Sequence, residues 1–338
     1  MKQIVVLSGK GGTGKTTIAA SFAVLASERH RIVVADCDVE ASNLHILLKP
    51  VRLNERNVFK GSKVAVLDAE KCVNCGACEE VCRFGAISRR GSRRGSRRGM
   101  SMGGGGGEVG VGEVEVRSEP EESEVCEYEI QEIFCEGCGV CVFVCPADAL
   151  SVAEKDSGEI YVSDVRCGGG GAKTVKMVHA SLKAGEEASG KLVSEVRRRA
   201  SEIALAEKSE IVLIDGPPGV GCPVIASLTG VDLAVLVAEP TKSGVHDLKR
   251  VLAVARHFGV NAVVCVNKSD LNAELTAEIE RFCAEEGVKM LGCIPYDETV
   301  LEAVSACEPV VAFRSESEAS VAIKAVWEKI EHILQTGA

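Results

Sequence analysis

Two sets of residues in this chain have the types and spacing to do chemistry. Cys72, Cys75, Cys78 and Cys82 are separated by two, two and three residues. Cys135, Cys138, Cys141 and Cys145 repeat that spacing, and Pro146 follows the last. Three closely spaced thiolates can wrap one face of a [4Fe–4S] cubane. Zinc is the competing chemistry, since Cys-x2-Cys pairs also hold it, but a zinc site takes four ligands as two separated pairs. The second set is Gly9-Lys10-Gly11-Gly12-Thr13-Gly14-Lys15-Thr16, with Thr17 after it. This is glycine, any four residues, then Gly-Lys-Thr, the spacing of a phosphate-binding loop. Its glycines let backbone N–H groups converge on phosphate oxygens where a Cβ would obstruct them. Lys15 is then expected at the β and γ phosphates, with the Thr16 hydroxyl on Mg²⁺.

These residues need elements to position them. The apolar run Ile4–Leu7 reads as a buried strand entering the glycine loop, and Thr16 to about Ala26 reads as the helix leaving it. Its N-terminus adds a positive dipole end under the phosphates. Arg31–Ala35, Ile211–Ile214, Leu233–Val237 and Ala262–Val266 are further apolar runs closed by polar or glycine turns. Helical patterns follow at about 243–257, 272–286 and 316–335. This alternation predicts an α/β fold with a mostly parallel sheet and helices on both faces. The pattern stops near Pro50, and cysteines cluster from about Ser62 to Ala153. The chain therefore divides into a first nucleotide-binding part (1–61), an inserted cysteine-rich domain (62–153) and a second nucleotide-binding part (154–338). Inside the insert, about 89–125 is low in complexity, with repeated Gly-Ser-Arg-Arg and five consecutive glycines. Such composition cannot bury enough apolar surface to offset its ordering entropy, and predicts a mobile loop. Gly168–Gly171 predicts a second flexible connection.

Composition narrows the function classes. The chain has 338 residues and a formal net charge of -10, which disfavours general binding to nucleic acid or to anionic membranes. No apolar run is long enough to span a membrane, and the start shows no signal peptide, so a reducing cytoplasm is expected. There, 16 cysteines read as metal ligands and not as a disulfide framework.

The loop form Lys-Gly-Gly-Thr-Gly-Lys-Thr, with Lys10 directly after the first glycine, resembles the deviant Walker loop of the MinD/ParA/Mrp ATPases and the nitrogenase iron protein. The resemblance implies that Lys10 reaches across a homodimer to the partner's nucleotide. It places Asp36 and Asp38 in switch I, with Asp38 positioning the attacking water. It places Asp215, in Asp215-Gly216-Pro217-Pro218-Gly219, in the Walker B/switch II segment, on Mg²⁺ through water. It also implies that Asn267 reads adenine. Asn267-Lys268-Ser269-Asp270 equally fits a guanine-reading motif, and the remaining segments favour ATP. Ser189–Val193, Glu239-Pro240-Thr241 and Pro295-Tyr296-Asp297 belong to the same likeness.

The doubled cysteine spacing resembles the run of bacterial two-cluster ferredoxins, which implies an α+β insert. The resemblance implies crossed ligation: Cys72, Cys75, Cys78 and Cys145 on one [4Fe–4S] cluster, and Cys135, Cys138, Cys141 and Cys82 on the other. Arg83 stands where ferredoxins carry proline after the fourth cysteine. Of the remaining cysteines, Cys37, Cys126, Cys167, Cys265, Cys283, Cys293 and Cys307 read mostly as small core hydrophobes, and Cys222 as a candidate for a transient metal role. His179 and His246 read as structural residues near helix starts.

Three functions share ATP, Mg²⁺, two clusters and a homodimer. The first is an ATPase, slow or stimulated by a partner, that couples its switch to electron transfer. The second is an iron–sulfur carrier. It is disfavoured because the C-terminal half has no Cys-x-x-Cys. The third is a positioning switch without redox activity. It is disfavoured because the 316–335 helix has mixed charge and not a basic face.

Overall fold

The computed structural model describes residues 1–90, 126–168, 173–186 and 189–336. The low-complexity run from 91 and Gly169–Gly171 lie outside the described residues.

The chain runs β1 (Lys2–Ser8), α1 (Lys15–Arg29), β2 (Ile32–Asp36), α2 (Leu44–Leu48), β3 (Pro50–Leu67), α3 (Ala77–Val81), β4 (Ile87–Arg89), β5 (Tyr128–Ile130), α4 (Val140–Val144), β6 (Leu150–Cys167) and β7 (Lys173–Leu182). It continues through α5 (Ser189–Ala206), β8 (Ile211–Pro218), α6 (Cys222–Leu228), β9 (Leu233–Ala238), α7 (Lys242–His257), β10 (Ala262–Asn267), α8 (Ala273–Glu285), β11 (Lys289–Ile294), α9 (Glu298–Ser305), α10 (Val310–Phe313) and α11 (Glu318–Thr336). Two compact units result, Met1–Gly61 with Asp156–Ala338, and Ser62–Lys155. β3 carries the chain out of the first unit and β6 returns it.

The large sheet has the order β11-β10-β9-β1-β8-β2-β7-β6-β3. From β11 to β7 every pairing is parallel, while β6 pairs antiparallel with β7 from Gly158↔Leu182 to Cys167↔Lys173. Parallel strands covered on both faces read as unbroken apolar runs, which is why β1, β2, β8, β9 and β10 were legible. Their alternate residues feed two separate cores. Ile4, Val6, Ile32, Val34 and Leu213 pack with α1, α10 and α11, and Phe22 and Trp327 bring their ring centroids to 5.3 Å. Val5, Leu7, Val33, Ala35 and Val212 pack instead with α5, α7 and α8.

The helix ends follow local chemistry. Thr241 caps α7 by accepting from the Gly244 N–H, and Asn272 caps α8 by accepting from the Leu275 N–H. One expectation is corrected. His179 lies within β7, not near a helix start, and it stacks between His45 at 5.4 Å and Tyr161 at 5.0 Å. Its polar neighbours belong to a partly exposed strand, so a polar stretch did not imply a helix there. His246 does lie in the first turns of α7.

The second unit is small. α3 and α4 pack on each other, β4 and β5 form an antiparallel pair, and the core is Ala65, Ile87, Tyr128 and Leu150 with Cys78, Cys126 and Cys141.

Candidate nucleotide site and cysteine motifs

The glycine loop joins β1 to α1, and its residues Gly11–Thr17 line a cavity of about 470 Å³ together with Asp38, Asn43, Ser189 and Pro217. Gly14 adopts φ +85°, and an added Cβ would sit 2.4 Å from the Asn267 amide nitrogen. Only glycine fits both the backbone angle and that approach. The Asn267 amide donates to the Thr13 carbonyl at 2.7 Å, so β10 holds the loop from outside. Asn267 is thus placed as a brace on the loop. The carboxylate of Asp270 accepts from the Tyr296 N–H at 2.6 Å.

Lys15 is 5% exposed, and its ammonium lies 2.6 Å from Asp215 and 3.7 Å from Asp38. Burial opposes its charge, but Asp215, Asp38 and Asp36 outweigh burial and hold its pKa above the ordinary value. Asp36 is fully buried at the end of β2. Burial and then the charge of Asp215 push its carboxyl up to about 7, against hydrogen bonds from Ser42 and from the Asp38 N–H. Ser42 donates at 2.7 Å and the Leu44 N–H at 3.2 Å, so Asp36 folds the segment that carries Asp38 into the cavity wall. Burial likewise raises Asp38, and Lys15 opposes the rise.

The donor set fits a magnesium nucleotide. Asp215 Oδ2 and Thr13 Oγ1 are buried and have no hydrogen-bond partner among the described residues. A buried carboxylate oxygen without a partner is costly unless a cation or its water fills the gap.

Lys10 is absent from the cavity wall. Its ammonium donates to Thr241 Oγ1 at 2.9 Å and Ser243 Oγ at 3.1 Å, and it pairs with Glu239 at 3.1 Å. Glu239 also pairs with Lys268 at 3.0 Å. The sequence reading had no role for Ser42, Ser243 or the Glu239 carboxylate. Thr241 alone carried a signal, as the N-cap before a helical run.

The cysteine motifs are conformational copies, each residue of the second lying 63 positions beyond its counterpart, as Cys135 lies beyond Cys72. Asn74 and Gly137, Gly76 and Gly139, and Gly85 and Asp148 all take positive φ. α3 matches α4, and Cys78 and Cys141 are each 8% exposed. The Ala86 N–H points at Cys82 Sγ and the Ala149 N–H at Cys145 Sγ, both at 3.3 Å. Arg83 in place of proline leaves this geometry intact. Cys72 has both Cys145 and Cys126 as electrostatic neighbours, Cys78 has Cys72 and Cys75, and Cys141 has Cys135 and Cys138. Among the described residues no three metal-ligating side chains converge on a single ion. A cubane asks for something else, one thiolate per iron around a box, with N–H groups turned to the sulfurs. Each motif supplies four thiols and one N–H turned to a sulfur. Five of the other eight cysteines are buried, Cys293 and Cys307 are half-buried, and Cys222 is exposed at the start of α6.

Fold and loop together define a phosphate-loop nucleotide-binding α/β protein. Residues 4–310 match the CobQ/CobB/MinD/ParA nucleotide binding domain, and the chain belongs to that family. Its MinD and ParA types are nucleotide-binding ATPases. The chain is 29% identical over 337 residues to the uncharacterized protein MJ0578 of Methanocaldococcus jannaschii, covering 98% of this chain and 97% of that one. It is 26% identical over 156 residues to the iron-sulfur cluster carrier protein of the same organism, covering 42% of this chain and 53% of that one. Its fold is similar to the septum site-determining protein MinD of Pyrococcus horikoshii complexed with Mg-ADP. That likeness has a TM-score of 0.55 at 17% identity and covers 100% of this chain and 98% of that chain.

Proposed function

We propose that this chain is an ATP-hydrolysing iron–sulfur protein in which a nucleotide-driven dimer switch governs electron transfer through two [4Fe–4S] clusters. The observation that carries the reading is the pair of cysteine motifs with matching spacing and positive-φ positions in one compact unit, within a chain whose other unit is a phosphate-loop fold. Cys72, Cys75, Cys78 and Cys145 would hold one cluster, and Cys135, Cys138, Cys141 and Cys82 the other. When bound, the clusters supply one-electron redox capacity. Shared ligation ties both to the fold of the unit, which suits retention more than release.

At the nucleotide site, Gly9, Gly11, Gly12, Thr13, Gly14, Lys15, Thr16 and Thr17 bind the phosphates, and Thr16 and Asp215 hold Mg²⁺. Asp38 orients the attacking water, Lys10 acts on the nucleotide of a partner copy, and Asn267 positions the loop beside the base. The deviant form of the loop, with Lys10 directly after its first glycine, favours ATP over a guanine nucleotide. Among the described residues no helix is long and apolar enough to cross a membrane.

The test is anaerobic. The protein is loaded with iron and sulfide, reduced and mixed with MgATP and a candidate apo-acceptor, while bound iron and the EPR signal are followed. Iron that stays bound while the reduced signal decays faster with ATP is the expected result. Iron arriving in the acceptor overturns electron transfer in favour of a carrier. ATP hydrolysis with neither change leaves a switch whose clusters are structural.

A further inference from the structure

The two cysteine motifs share a backbone but not a surface. Where α3 presents Glu79 and Glu80, both exposed, the matching positions of α4 are Val142 and Phe143. Phe143 is 92% exposed and Val140, one turn before it, is 47% exposed. Residues three apart on a helix share a face, so these two side chains form one apolar surface. They flank Cys141 and follow the exposed Cys138. An exposed phenylalanine on a helix of five residues contributes nothing to the fold, since no core is reached from that position.

Charge differs between the motifs in the same way. Residues 126–155 carry six carboxylates, at Glu127, Glu129, Glu132, Glu136, Asp148 and Glu154, against Lys155 alone. Lys155 donates to the Glu132 carbonyl. Residues 62–90 carry four carboxylates against five lysines and arginines. The second motif therefore carries a nearly fully exposed aromatic side chain, Phe143, beside its thiols and within an acidic stretch of sequence, whereas the first motif exposes Val73 at 62% and Phe84 at 49% within a stretch of near-neutral charge.

We infer that α4, anchored by Phe143 and Val140, is the docking surface for a redox protein whose contact face is apolar and ringed by lysine and arginine. The inference deepens the electron-transfer reading and rests on it. The acidic surround steers the cationic partner, and burial of the phenylalanine holds it. Docking there sets the partner against Cys138 and Cys141, so one electron passes from a reduced cluster to an oxidised partner centre with no bond made or broken. The first motif, with Glu79 and Glu80 at the matching helix positions and a near-neutral charge, offers such a partner less.

The probe is ferric cytochrome c, a small basic haem protein, titrated against the full iron-loaded chain by calorimetry at low and moderate salt. Phe143→Ser is expected to weaken binding more than tenfold. Glu136→Gln is expected to weaken it less and to flatten its salt dependence. Glu80→Ser on α3 is expected to leave it unchanged. Equal loss with Glu80→Ser, or no loss with Phe143→Ser at normal far-UV circular dichroism, overturns the proposal. So does sedimentation showing that Phe143→Ser dissolves a dimer, because a second copy then covers the surface. Bound iron is measured on every sample. A chain that takes up no iron refutes the cluster reading, whereas normal iron with unaltered binding refutes only the docking surface.

Discussion

Replacing Lys15 with alanine removes the only cation within salt-bridge reach of Asp215 and Asp38 among the described residues. Both carboxylates and the buried Asp36 would then share a pocket without a counter-charge. Breaking a buried pair by removing one partner costs about 3–5 kcal/mol, since an uncompensated charge stays behind. At about 2–4 °C per kcal/mol for a unit of this size, Tm is expected to fall by roughly 6–20 °C. The penalty is one of charge, so it depends on pH with a definite sign. Burial and Asp215 already raise Asp36 to about 7, and loss of Lys15 raises it further. An acid whose folded pKa is raised destabilises the fold as pH climbs from its unfolded value toward the folded one. The gap between Lys15→Ala and its parent is therefore widest near pH 8 and narrows toward pH 5, where Asp36 is protonated. Thermal unfolding followed by circular dichroism without nucleotide measures it. A loss under about 1 kcal/mol, or a gap that is constant from pH 5 to 8, refutes the reasoning.

Asn267→Ala leaves the Thr13 carbonyl without its 2.7 Å donor, and is expected to weaken binding of a fluorescent ATP analogue by about fivefold to tenfold, on the order of one hydrogen bond. Unchanged affinity would remove Asn267 from the loop's support. Gly137→Ala would place a Cβ 2.4 Å from the Lys63 carbonyl oxygen at φ +59°, so iron content after reconstitution should drop by about half as the second motif fails. Gly85→Ala meets nothing within 4 Å and carries only the strain of its φ of +60°, on the order of 1 kcal/mol, so its iron content should fall far less. Glu239→Gln frees Lys10 and Lys268 from their shared carboxylate. If Lys10 serves a partner copy, this variant should dimerise at lower ATP, measured by sedimentation, and a raised ATP requirement would count against that role.

How much was legible depended on whether an interaction is local in sequence. The loop around Gly14 and Lys15 and the two cysteine motifs from Cys72 to Cys145 have fixed short spacings, so each was visible within a short window of sequence. β1 and β2 were legible because both of their faces are buried. β3 and β6, at 18 residues each, were not, because their mixed polar and apolar composition carries neither a helical nor a simple alternating period. α5 was also missed, since its arginine-rich stretch hides the Leu192, Val193 and Val196 stripe. The brace from Asn267 to Thr13 and the tie from Lys10 to Glu239 join residues more than 200 apart, and no local pattern encodes such a partner.

The register that sets Lys2 opposite Ile211 also bears on the order in which the molecule is made. β1 lies in the middle of the sheet between β8 and β9, so this strand leaves the ribosome about 200 residues before its first sheet neighbour. Closing so long a loop is slow, and an apolar strand is exposed meanwhile. The core of the unit at Ser62–Lys155 is built from residues between Ala65 and Leu150. Vectorial synthesis therefore allows the cysteine unit to fold before the nucleotide pocket exists; on the proposed reading, iron uptake would then precede any control by ATP.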